Sequence, residues 1–449
     1  MAFDYDLFVI GAGSAGTAAA QRAAAHGARV AVAEQEDVGG TCANRGCIPK
    51  KLIVYAADFA LQDRVATSYG WSECQRQLDW SRLIAAIHKH VESLNQSYTQ
   101  QFHKAGIKLI RSQVTFVDAH TVEVDGRKVT ADKILIAVGG QPIKPKIPGV
   151  EHAITSREMF HLQQLPKRLA IVGGGYIGVE FSSMMNALGV QVTLVDRDEQ
   201  ILSGFDEDVR SAVQEGLFLR GIRFLGNTTA KEIKQGADGL QLSQSYESQE
   251  TITADTILIA TGRSPNTKTL NLENAGVEIG EKGEIRVDEY SRTTQDNIFA
   301  VGDCTNRVQL TPVARAEGRA FADTVFGDNP RHVNYDYVPS AVFARPEAAS
   351  VGMTETKARE KFGKSVQCHR ANVEPLFHSI TEHDEQVMLK LVVDGNTDRV
   401  LGAHMVGENA AEIIQSLAVA IRKGVTKQDF DATMGIHPTT GEEFLFQSL

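Results

Sequence analysis

The chain has 449 residues, of which 42% are hydrophobic and 23% charged, and its formal net charge is −10. This length allows about three domains, and the negative charge disfavours nucleic acid or an anionic membrane as a partner. No uncharged apolar run reaches the roughly 18 residues of a membrane span. The first residues do not resemble a secretory signal, and the few cysteines favour a reducing compartment, so we expect a cytoplasmic protein.

The first motif is a glycine-rich turn between a predicted strand and a predicted helix. Leu7–Ile10 leads into the run Gly11 to Gly16, an alanine-rich helix and a second strand that ends at Glu34. Glycines let the backbone approach a pyrophosphate, the helix N-terminus favours its charge, and the acid can accept a hydrogen bond from a ribose hydroxyl. In this context the motif predicts a dinucleotide site rather than a loop that is merely rich in glycine.

Two cysteines, Cys42 and Cys47, follow this unit directly. On an ideal helix their Cα atoms would lie about 8.6 Å apart, beyond the roughly 7 Å that a disulfide can bridge. A disulfide would therefore require an interrupted helix. Gly46 can supply the permissive backbone, and Pro49 is expected to bias Ile48 away from the α region.

The surroundings of the two cysteines favour a reactive pair. Lys50 and Lys51 add positive charge, which favours thiolate over thiol. The alternative is a pair of inert, buried cysteines. A zinc site is the other possibility, but the sequence offers no second pair of ligands for it. Structural zinc requires a second close pair of ligands, and Cys74, Cys304 and Cys368 are scattered singly.

The dinucleotide fingerprint recurs in the middle of the chain. Leu169–Val172 leads into Gly173 to Gly178, a helix, and a strand that ends at Asp196. Two such units predict two bound dinucleotides, although a duplicated fold with one silent site is the alternative. Asp196 stands where an acid would bind the 2′-hydroxyl of NAD, whereas the neighbouring Arg197 could bind the 2′-phosphate of NADP.

Short strands occupy much of the remaining chain. Asp125-Gly126 lies between Thr121–Val124 and Lys128–Thr130 and predicts a hairpin. Thr256–Arg263 resembles the segment before Gly140, which suggests that the chain returns to the first domain there. A further buried strand is predicted before Asp303, whose carboxylate could bind a cofactor hydroxyl or only form a turn.

The C-terminal third is predicted to combine β-strands with one amphipathic helix. That helix is expected to be capped by Asn409 and to end before Gly424. The last motif contains His437 and Glu442. An imidazole oriented by a carboxylate can transfer protons at neutral pH, although His437 alone could equally be structural.

From Phe3 onward the chain resembles the flavin-dependent pyridine nucleotide-disulfide oxidoreductases, and most closely the members that reduce glutathione disulfide. The motifs that carry the resemblance are Gly11 to Gly16, Gly40 to Lys51, Gly173 to Glu180, Ala260 to Arg263, Val301 to Asp303, and His437 to Glu443. The resemblance implies an α/β fold with two Rossmann-like dinucleotide-binding domains and a C-terminal α+β dimerisation domain. The implied domains are FAD-binding (1–140, continued in a central part, 263–335), NAD(P)H-binding (141–262) and dimerisation (336–449).

The resemblance also implies two cofactors and their binding residues. FAD is expected on Gly11, Gly13, Ser14, Gly16, Glu34, Thr41, Lys50, Gly139, Asp303 and Thr311. Reduced nicotinamide is expected on Gly173, Gly175, Tyr176, Ile177, Gly178, Glu180, Asp196, Arg197, Ser203, Gly262 and Arg263. Tyr176 would gate the flavin, and Lys50 would pair with Glu180.

Catalytic roles follow from the same resemblance. Cys47 would lie beside the flavin, Cys42 would attack the substrate disulfide, and His437, held by Glu442, would protonate the leaving thiol. In the family this histidine comes from the partner subunit, which implies a homodimer.

Two features of this sequence bear on substrate and coenzyme. Tyr98 and Arg319 match glutathione-contacting positions, and Arg22 lies beside Gln21, where many members have a basic residue. Arg197 matches one of two expected phosphate-binding arginines, but Ser203 replaces the other, so we predict NADPH with reduced discrimination against NADH. The alternatives are an NADH-linked lipoamide dehydrogenase, a reductase of a modified glutathione or a metal ion, and a non-catalytic nucleotide-binding protein.

Overall fold

The computed structural model describes residues 3–73, 76–245, 251–381 and 385–445. The strands are, in chain order, β1 (Tyr5–Ile10), β2 (Val30–Ala33), β3 (Lys108–Ile110), β4 (Val114–Phe116), β5 (Thr121–Val124), β6 (Arg127–Ile136), β7 (Gly140–Pro142), β8 (Ile154–Thr155), β9 (Arg168–Val172), β10 (Gln191–Val195), β11 (Arg223–Leu225), β12 (Thr229–Gly236), β13 (Gly239–Ser245), β14 (Ile252–Ala254), β15 (Thr256–Ile259), β16 (Arg263–Pro265), β17 (Ile298–Ala300), β18 (Ser340–Val342), β19 (Ala348–Gly352), β20 (Val366–Val373), β21 (Val387–Asp394) and β22 (Arg399–Val406). The helices are α1 (Ser14–Ala25), α2 (Gly40–Arg45), α3 (Cys47–Val65), α4 (Trp80–Lys104), α5 (Ser156–Met159), α6 (Tyr176–Ala187), α7 (Glu207–Leu219), α8 (Thr311–Phe326), α9 (Glu355–Phe362), α10 (Ala410–Lys423) and α11 (Lys427–Asp431).

The chain divides into two compact units, each built from three segments. The first unit contains the described residues of Met1–Leu52, Trp80–Ile143 and Gly262–Asn334, and the second contains those of Ile53–Asp79, Lys144–Thr261 and Tyr335–Leu449. The predicted division into FAD-binding, NAD(P)H-binding and dimerisation segments stays a prediction. No helix in the part of the chain that the structure describes is long and apolar enough to cross a membrane.

The first unit is built around a parallel sheet in which β1 is central. β1 pairs in parallel with β2 and β6, and β6 also pairs with β17. Both faces of β1 are buried: Leu7 and Val9 pack with α1 and α8, whereas Phe8 and Ile10 pack in a second cluster on the other face. Such a strand is typical of a doubly wound α/β sheet. The predicted hairpin is present as β5 and β6, which pair antiparallel.

The second unit repeats the parallel arrangement and adds a C-terminal sheet. β9 pairs in parallel with β10 and β15, so the second fingerprint begins at the carboxyl end of a central strand, as the first does. β21 and β22 pair antiparallel in the C-terminal sheet, which packs on α10. The predicted α/β fold class with an α+β C-terminal part is therefore confirmed.

The start of α10 differs in one detail from the prediction. Asn409 occupies the N-cap, but its side chain makes no capping hydrogen bond and its backbone has φ +63°. Asparagine tolerates this left-handed conformation better than most residues. The residue therefore supplies a turn rather than a side-chain cap, while Gly424 ends the helix as predicted, with φ +86°.

A buried ion cluster, which no sequence pattern predicted, stabilises the second unit. Lys390 on β21 is 1% exposed, and its Nζ lies 2.7 Å from Asp206, 2.5 Å from Asp208 and 2.8 Å from Glu355. Burial by itself would raise the pKa of Glu355, but hydrogen bonds from Lys390 and Arg359 lower it to about 2. One buried cation thus compensates three carboxylates from two separate parts of the unit, the start of α7 and the start of α9.

Removing the Lys390 ammonium should leave these carboxylates without their shared cation. We expect Lys390→Ala to lower the free energy of unfolding by about 3–5 kcal/mol, measured by urea unfolding followed by circular dichroism. Lys234→Ala is the matched control, because it breaks an exposed pair with Glu232 and such pairs contribute little. Equal effects of the two substitutions would contradict the assigned role of the cluster.

Candidate functional site

Cys42 and Cys47 lie on two helices separated by a single residue. α2 ends before Gly46, which has φ −145° and ψ −119°, and α3 begins at Cys47. A Cβ at Gly46 would lie 2.8 Å from the carbonyl oxygen of Thr41, so a larger residue would disturb this break. The predicted interruption is therefore present, and glycine is required there for space.

The expected effect of Pro49 is wrong. Ile48 belongs to α3, and Pro49 lies in its first turn. Proline is tolerated at such a position because the amide groups of the first turn have no partner within the helix. The break between the cysteines is therefore due to Gly46 alone.

The two sulfur atoms are in contact with each other and with α8. Cys42 and Cys47 share a side-chain hydrogen bond, and the Sγ of Cys47 lies 3.7 Å from the Oγ1 of Thr311. The bond to Cys47, together with burial, raises the pKa of Cys42, whereas Thr311 and Arg315 act in the opposite direction. A second negative charge beside the first is costly, so the reduced pair retains one proton.

Arg315 was not among the sequence-predicted residues. It lies one turn after Thr311 on α8, and its charge acts on Cys42. The i, i+4 spacing from Thr311 is the signal that could have identified it. Lys50 and Lys51, the cations expected from sequence, stay predictions.

Two of the remaining cysteines are poorly suited to redox chemistry. Cys304 is fully buried, and burial raises the pKa of its thiol to about 12. Burial also raises the pKa of Cys368, to about 11. Thiols that stay protonated are weak nucleophiles. Cys74 lies outside the described residues.

The first glycine loop has the geometry of a dinucleotide site. Gly11 has φ +101°, and a Cβ there would lie 2.5 Å from the carbonyl oxygen of Ala137. A Cβ at Gly16 would lie 2.0 Å from the carbonyl oxygen of Gly11, so α1 packs closely on the loop. Glu34 accepts hydrogen bonds from the backbone N–H of Ala12 at 2.7 Å and of Glu36 at 2.8 Å. Burial raises the pKa of Glu34.

The middle glycine of each loop leaves room for a pyrophosphate. The nearest atom to a Cβ at Gly13 would be 3.9 Å away, and nothing lies within 4 Å of one at Gly175. Gly13 and Gly175 are the N-caps of α1 and α6, and neither provides a capping side chain. Backbone N–H groups at such helix ends can bind phosphate, so both loops fit a dinucleotide. Ser14 and Ile177 lie in the first turns of these helices.

The remaining predicted FAD residues of the first unit, together with the predicted coenzyme residues Gly262 and Arg263, are dispersed over several short segments. Asp303 lies in the 3₁₀ turn Gly302–Thr305, and burial raises its pKa while Arg263 opposes this effect. The Nε of Arg263 is 4.0 Å from Asp303. Arg263 also donates to the carbonyl oxygen of Gly140. Gly139 and Gly262 both have positive φ angles, and Thr41 lies in α2.

The second glycine loop repeats the first in detail. Gly173 has φ +117°, and a Cβ at Gly178 would lie 1.8 Å from the carbonyl oxygen of Gly173. Asp196 accepts from the backbone N–H of Gly174 and, at 2.8 Å, from that of Asp198. The carboxylate of Asp196 therefore holds the loop, as Glu34 does in the first unit.

The other predicted coenzyme residues differ in exposure. Tyr176 is exposed at the start of α6, whereas Glu180 is buried and accepts from the backbone N–H of Phe343 at 2.9 Å. Arg197 is 84% exposed, and its Nε lies 3.7 Å from Asp198. Ser203 is also exposed. The predicted Lys50–Glu180 pair joins residues of different units and stays a prediction.

His437 and Glu442 form the predicted pair. The Nδ1 of His437 lies 3.0 Å from the Oε1 of Glu442, and the imidazole is 84% exposed whereas the carboxylate is 7% exposed. The backbone N–H of Thr439 donates to the same carboxylate oxygen at 3.0 Å. Glu442 therefore fixes the ring through Nδ1 and leaves Nε2 facing outward, where it can exchange a proton.

The three predicted substrate residues have different surroundings. A Cβ at Gly39 would lie 3.1 Å from the ring of Tyr98, so this ring lies beside the glycines that precede Cys42. Arg319 is exposed on α8. The Nε of Arg22 lies 2.5 Å from Asp323, so its guanidinium already has a strong partner.

Two dinucleotide folds combined with a dithiol define a nucleotide-dependent oxidoreductase that handles thiols and disulfides. The sequence matches the family described as pyridine nucleotide-disulphide oxidoreductase over residues 5–318, and the dimerisation domain of the same family over 338–446. The chain therefore belongs to the pyridine nucleotide-disulphide oxidoreductase family, which confirms the predicted resemblance.

Similar proteins cover nearly the whole chain. A glutathione reductase of Nostoc sp. is 53% identical over 99% of both chains, and one of Burkholderia cepacia is 44% identical over 99% of this chain and 98% of its own. The structure is similar to that of the HOCl-induced flavoprotein disulfide reductase RclA from Escherichia coli, with a TM-score of 0.88, 31% identity and 98% of each chain covered.

The contrast between Gly13 and Gly16 yields a direct test of the first loop. We expect Gly13→Ala to fold normally but to bind flavin weakly, because its Cβ would occupy the open space at the helix N-terminus. Gly16→Ala should instead destabilise the unit, because its Cβ meets the carbonyl oxygen of Gly11. Flavin content and thermal unfolding of both variants distinguish these effects. Normal flavin binding by Gly13→Ala would contradict the assignment.

Proposed function

We propose that this protein reduces glutathione disulfide with NADPH, using bound FAD and the Cys42–Cys47 pair. The observation that carries the proposal is the contact between the two sulfurs at the break between α2 and α3. Both cysteines belong to the unit that contains the first dinucleotide loop. The similar proteins named glutathione reductase support the choice of substrate.

The chemistry divides between the cofactors and the protein's own side chains. FAD held on the first glycine loop would supply, when bound, the hydride-accepting chemistry that passes two electrons from NADPH to a Cys42–Cys47 disulfide. The Cys42 thiolate then attacks the substrate disulfide, which forms a mixed disulfide and releases one thiol. Cys47 attacks the sulfur of Cys42, releases the second thiol and restores the disulfide. Two electrons and one proton derive from the hydride of NADPH, and the second proton is taken from solvent.

His437 would serve as the proton donor and acceptor in this exchange. The first thiol leaves as a thiolate unless it receives a proton, and Nε2 of His437 faces outward to provide one. Glu442 holds the opposite ring nitrogen at 3.0 Å, which orients the imidazole. The same base can remove the proton that the reduced cysteine pair retains.

The active protein would be a homodimer, with His437 acting on the cysteines of the partner subunit. In the single chain, Met434 is 94% exposed and Ile436 77% exposed, immediately before this histidine. Exposed apolar side chains of this size are typical of interfaces. The match to a dimerisation domain over residues 338–446 supports the same assembly.

NADPH is the proposed coenzyme, with incomplete discrimination against NADH. The carboxylate of Asp196 is directed to the Gly174 amide, whereas Arg197 is exposed and able to bind a phosphate. Ser203 provides no second positive charge. We also infer a cytoplasmic location, consistent with two reactive cysteines that must be kept reducible.

Arg197 can be tested by its effect on the two coenzymes. We expect Arg197→Leu to lower kcat/KM for NADPH about tenfold, through loss of one charge-assisted bond to the 2′-phosphate. The value for NADH should stay nearly unchanged, because NADH lacks this phosphate, and it serves as the internal control. Equal losses with both coenzymes would exclude the proposed contact.

The redox role of Cys42 can be tested by titration and turnover. Cys42→Ser should retain flavin but take up about two electrons per subunit, compared with about four in the unmodified holoenzyme. Its reduction of glutathione disulfide by NADPH should be abolished, because no interchange thiol remains. Cys368→Ser is the matched control, since this partly buried thiol lies on β20 outside the site.

Substrate choice is tested in the same assays. Faster NADPH or NADH oxidation with lipoamide than with glutathione disulfide would favour the alternative lipoamide dehydrogenase. Protein without flavin and without turnover would favour a non-catalytic nucleotide-binding protein.

His437→Gln should slow turnover sharply while leaving reductive titration of the cysteine pair intact, and normal turnover would remove His437 from the mechanism.

A further inference from the structure

The exposed face of α8 carries two arginines in line with the cysteine pair. Thr311, Arg315 and Arg319 follow at intervals of four residues, so they lie on one face, each about 6 Å from the next along the axis. The adjoining side of α8 packs on α1, where a Cβ at Gly318 would lie 2.3 Å from the carbonyl oxygen of Ala15. This close packing fixes the rotation of α8 and keeps the arginines outward.

Thr311, the first residue of this face, contacts both sulfur atoms. The Oγ1 of Thr311 lies 3.7 Å from the Sγ of Cys47 and also hydrogen-bonds Cys42. Arg315 follows Thr311 by one helical turn on the same face of α8. It therefore lies on the part of α8 that is next to the cysteine pair. Its charge lowers the pKa of Cys42 against the larger opposing effects of Cys47 and burial.

Both arginines lack protein partners. Within residues 3–73, 76–245, 251–381 and 385–445, neither Arg315 nor Arg319 makes a hydrogen bond or an ion pair with a protein group. By contrast, Arg22 and Arg331 both bind Asp323 at the other end of the helix. Two like charges one turn apart disfavour the helix, and an anion bound between them would relieve this repulsion.

We propose that Arg315 determines specificity: it binds a carboxylate of the incoming disulfide beside Cys42 and, with Arg319, selects anionic over neutral disulfides. The proposal rests on the proposed disulfide reductase function and deepens it. Guanidinium groups bind carboxylates through charge-assisted, often bidentate hydrogen bonds. Glutathione disulfide carries carboxylates on both halves, so two arginines at this spacing can bind it at two points.

The local positive potential can be measured without any substrate. The holoenzyme is reduced with dithiothreitol, freed of excess reagent, and alkylated with anionic iodoacetate or neutral iodoacetamide, and the Cys42 peptide is quantified by mass spectrometry. We expect the iodoacetate-to-iodoacetamide rate ratio to fall about three- to tenfold in Arg315→Leu. Arg315→Lys should retain most of the ratio, because it keeps the charge.

Arg127→Leu is the matched control, because it removes one exposed arginine at the start of β6, on the hairpin of the same unit. Its alkylation ratio should equal that of the unmodified protein. An unchanged ratio in Arg315→Leu, or an equal fall in Arg127→Leu, would overturn the proposal. Flavin content of each variant verifies that the fold is retained.

Turnover separates this proposal from the proposed function. Arg315→Leu should raise KM about tenfold for glutathione disulfide, with kcat nearly unchanged and with KM unchanged for the neutral hydroxyethyl disulfide. Equal increases for both disulfides would overturn the specificity role. If the unmodified protein reduced neither disulfide, the proposed function would fail, while the alkylation ratio would still decide whether Arg315 makes the pocket electropositive.

Discussion

The close approach of Cys42 and Cys47 depends on one glycine. A continuous helix through this segment would separate the two residues by more than a disulfide can bridge. Gly46 ends α2, and α3 begins at the next residue. Because a Cβ at Gly46 would press on the carbonyl oxygen of Thr41, the break is compatible with few other residues. The redox chemistry is thus made possible by a local backbone constraint.

A second constraint is repeated in both nucleotide units. Glu34 and Asp196 each stand at the end of the second strand of a fingerprint, and each accepts hydrogen bonds from its own glycine loop. The acid therefore holds the loop through backbone hydrogen bonds. Because Asp196 binds the loop in this way, its presence alone does not indicate whether NADH or NADPH is the coenzyme. Its carboxylate is needed by the loop whichever nicotinamide nucleotide binds, so discrimination depends on exposed neighbours such as Arg197.

The sequence predicted those features that depend on short stretches of chain. The glycine loops, the β5–β6 hairpin and the His437–Glu442 pair all involve residues close in sequence, where spacing determines geometry. Ile48 was assigned wrongly because the bias of a following proline is weak when that proline lies in the first turn of a helix. Local rules succeeded where local interactions determine the structure.

Other features depend on contacts between distant segments, which spacing cannot reveal. Lys390 and its partner Asp206 are brought together only by the packing of α7 on the C-terminal sheet. Arg22 looked available for a substrate carboxylate, but Asp323 of α8 binds it at 2.5 Å. The effect of Arg315 on Cys42 likewise depends on the packing of α8. Its spacing from Thr311 places it on the same side of that helix, but the spacing does not reveal that this side meets the cysteines.

The chain as a whole is negatively charged, whereas the arginines near its cysteine pair are positively charged. A chain with a formal net charge of −10 would repel an anionic disulfide if its charge acted at long range. At physiological ionic strength, however, exposed charges are largely screened beyond about 8 Å. The potential beside Cys42 is therefore determined mainly by nearby groups, and Arg315 is a charge that acts on this thiol. A negatively charged protein can in this way bind a negatively charged substrate, provided that local arginines are left without protein partners.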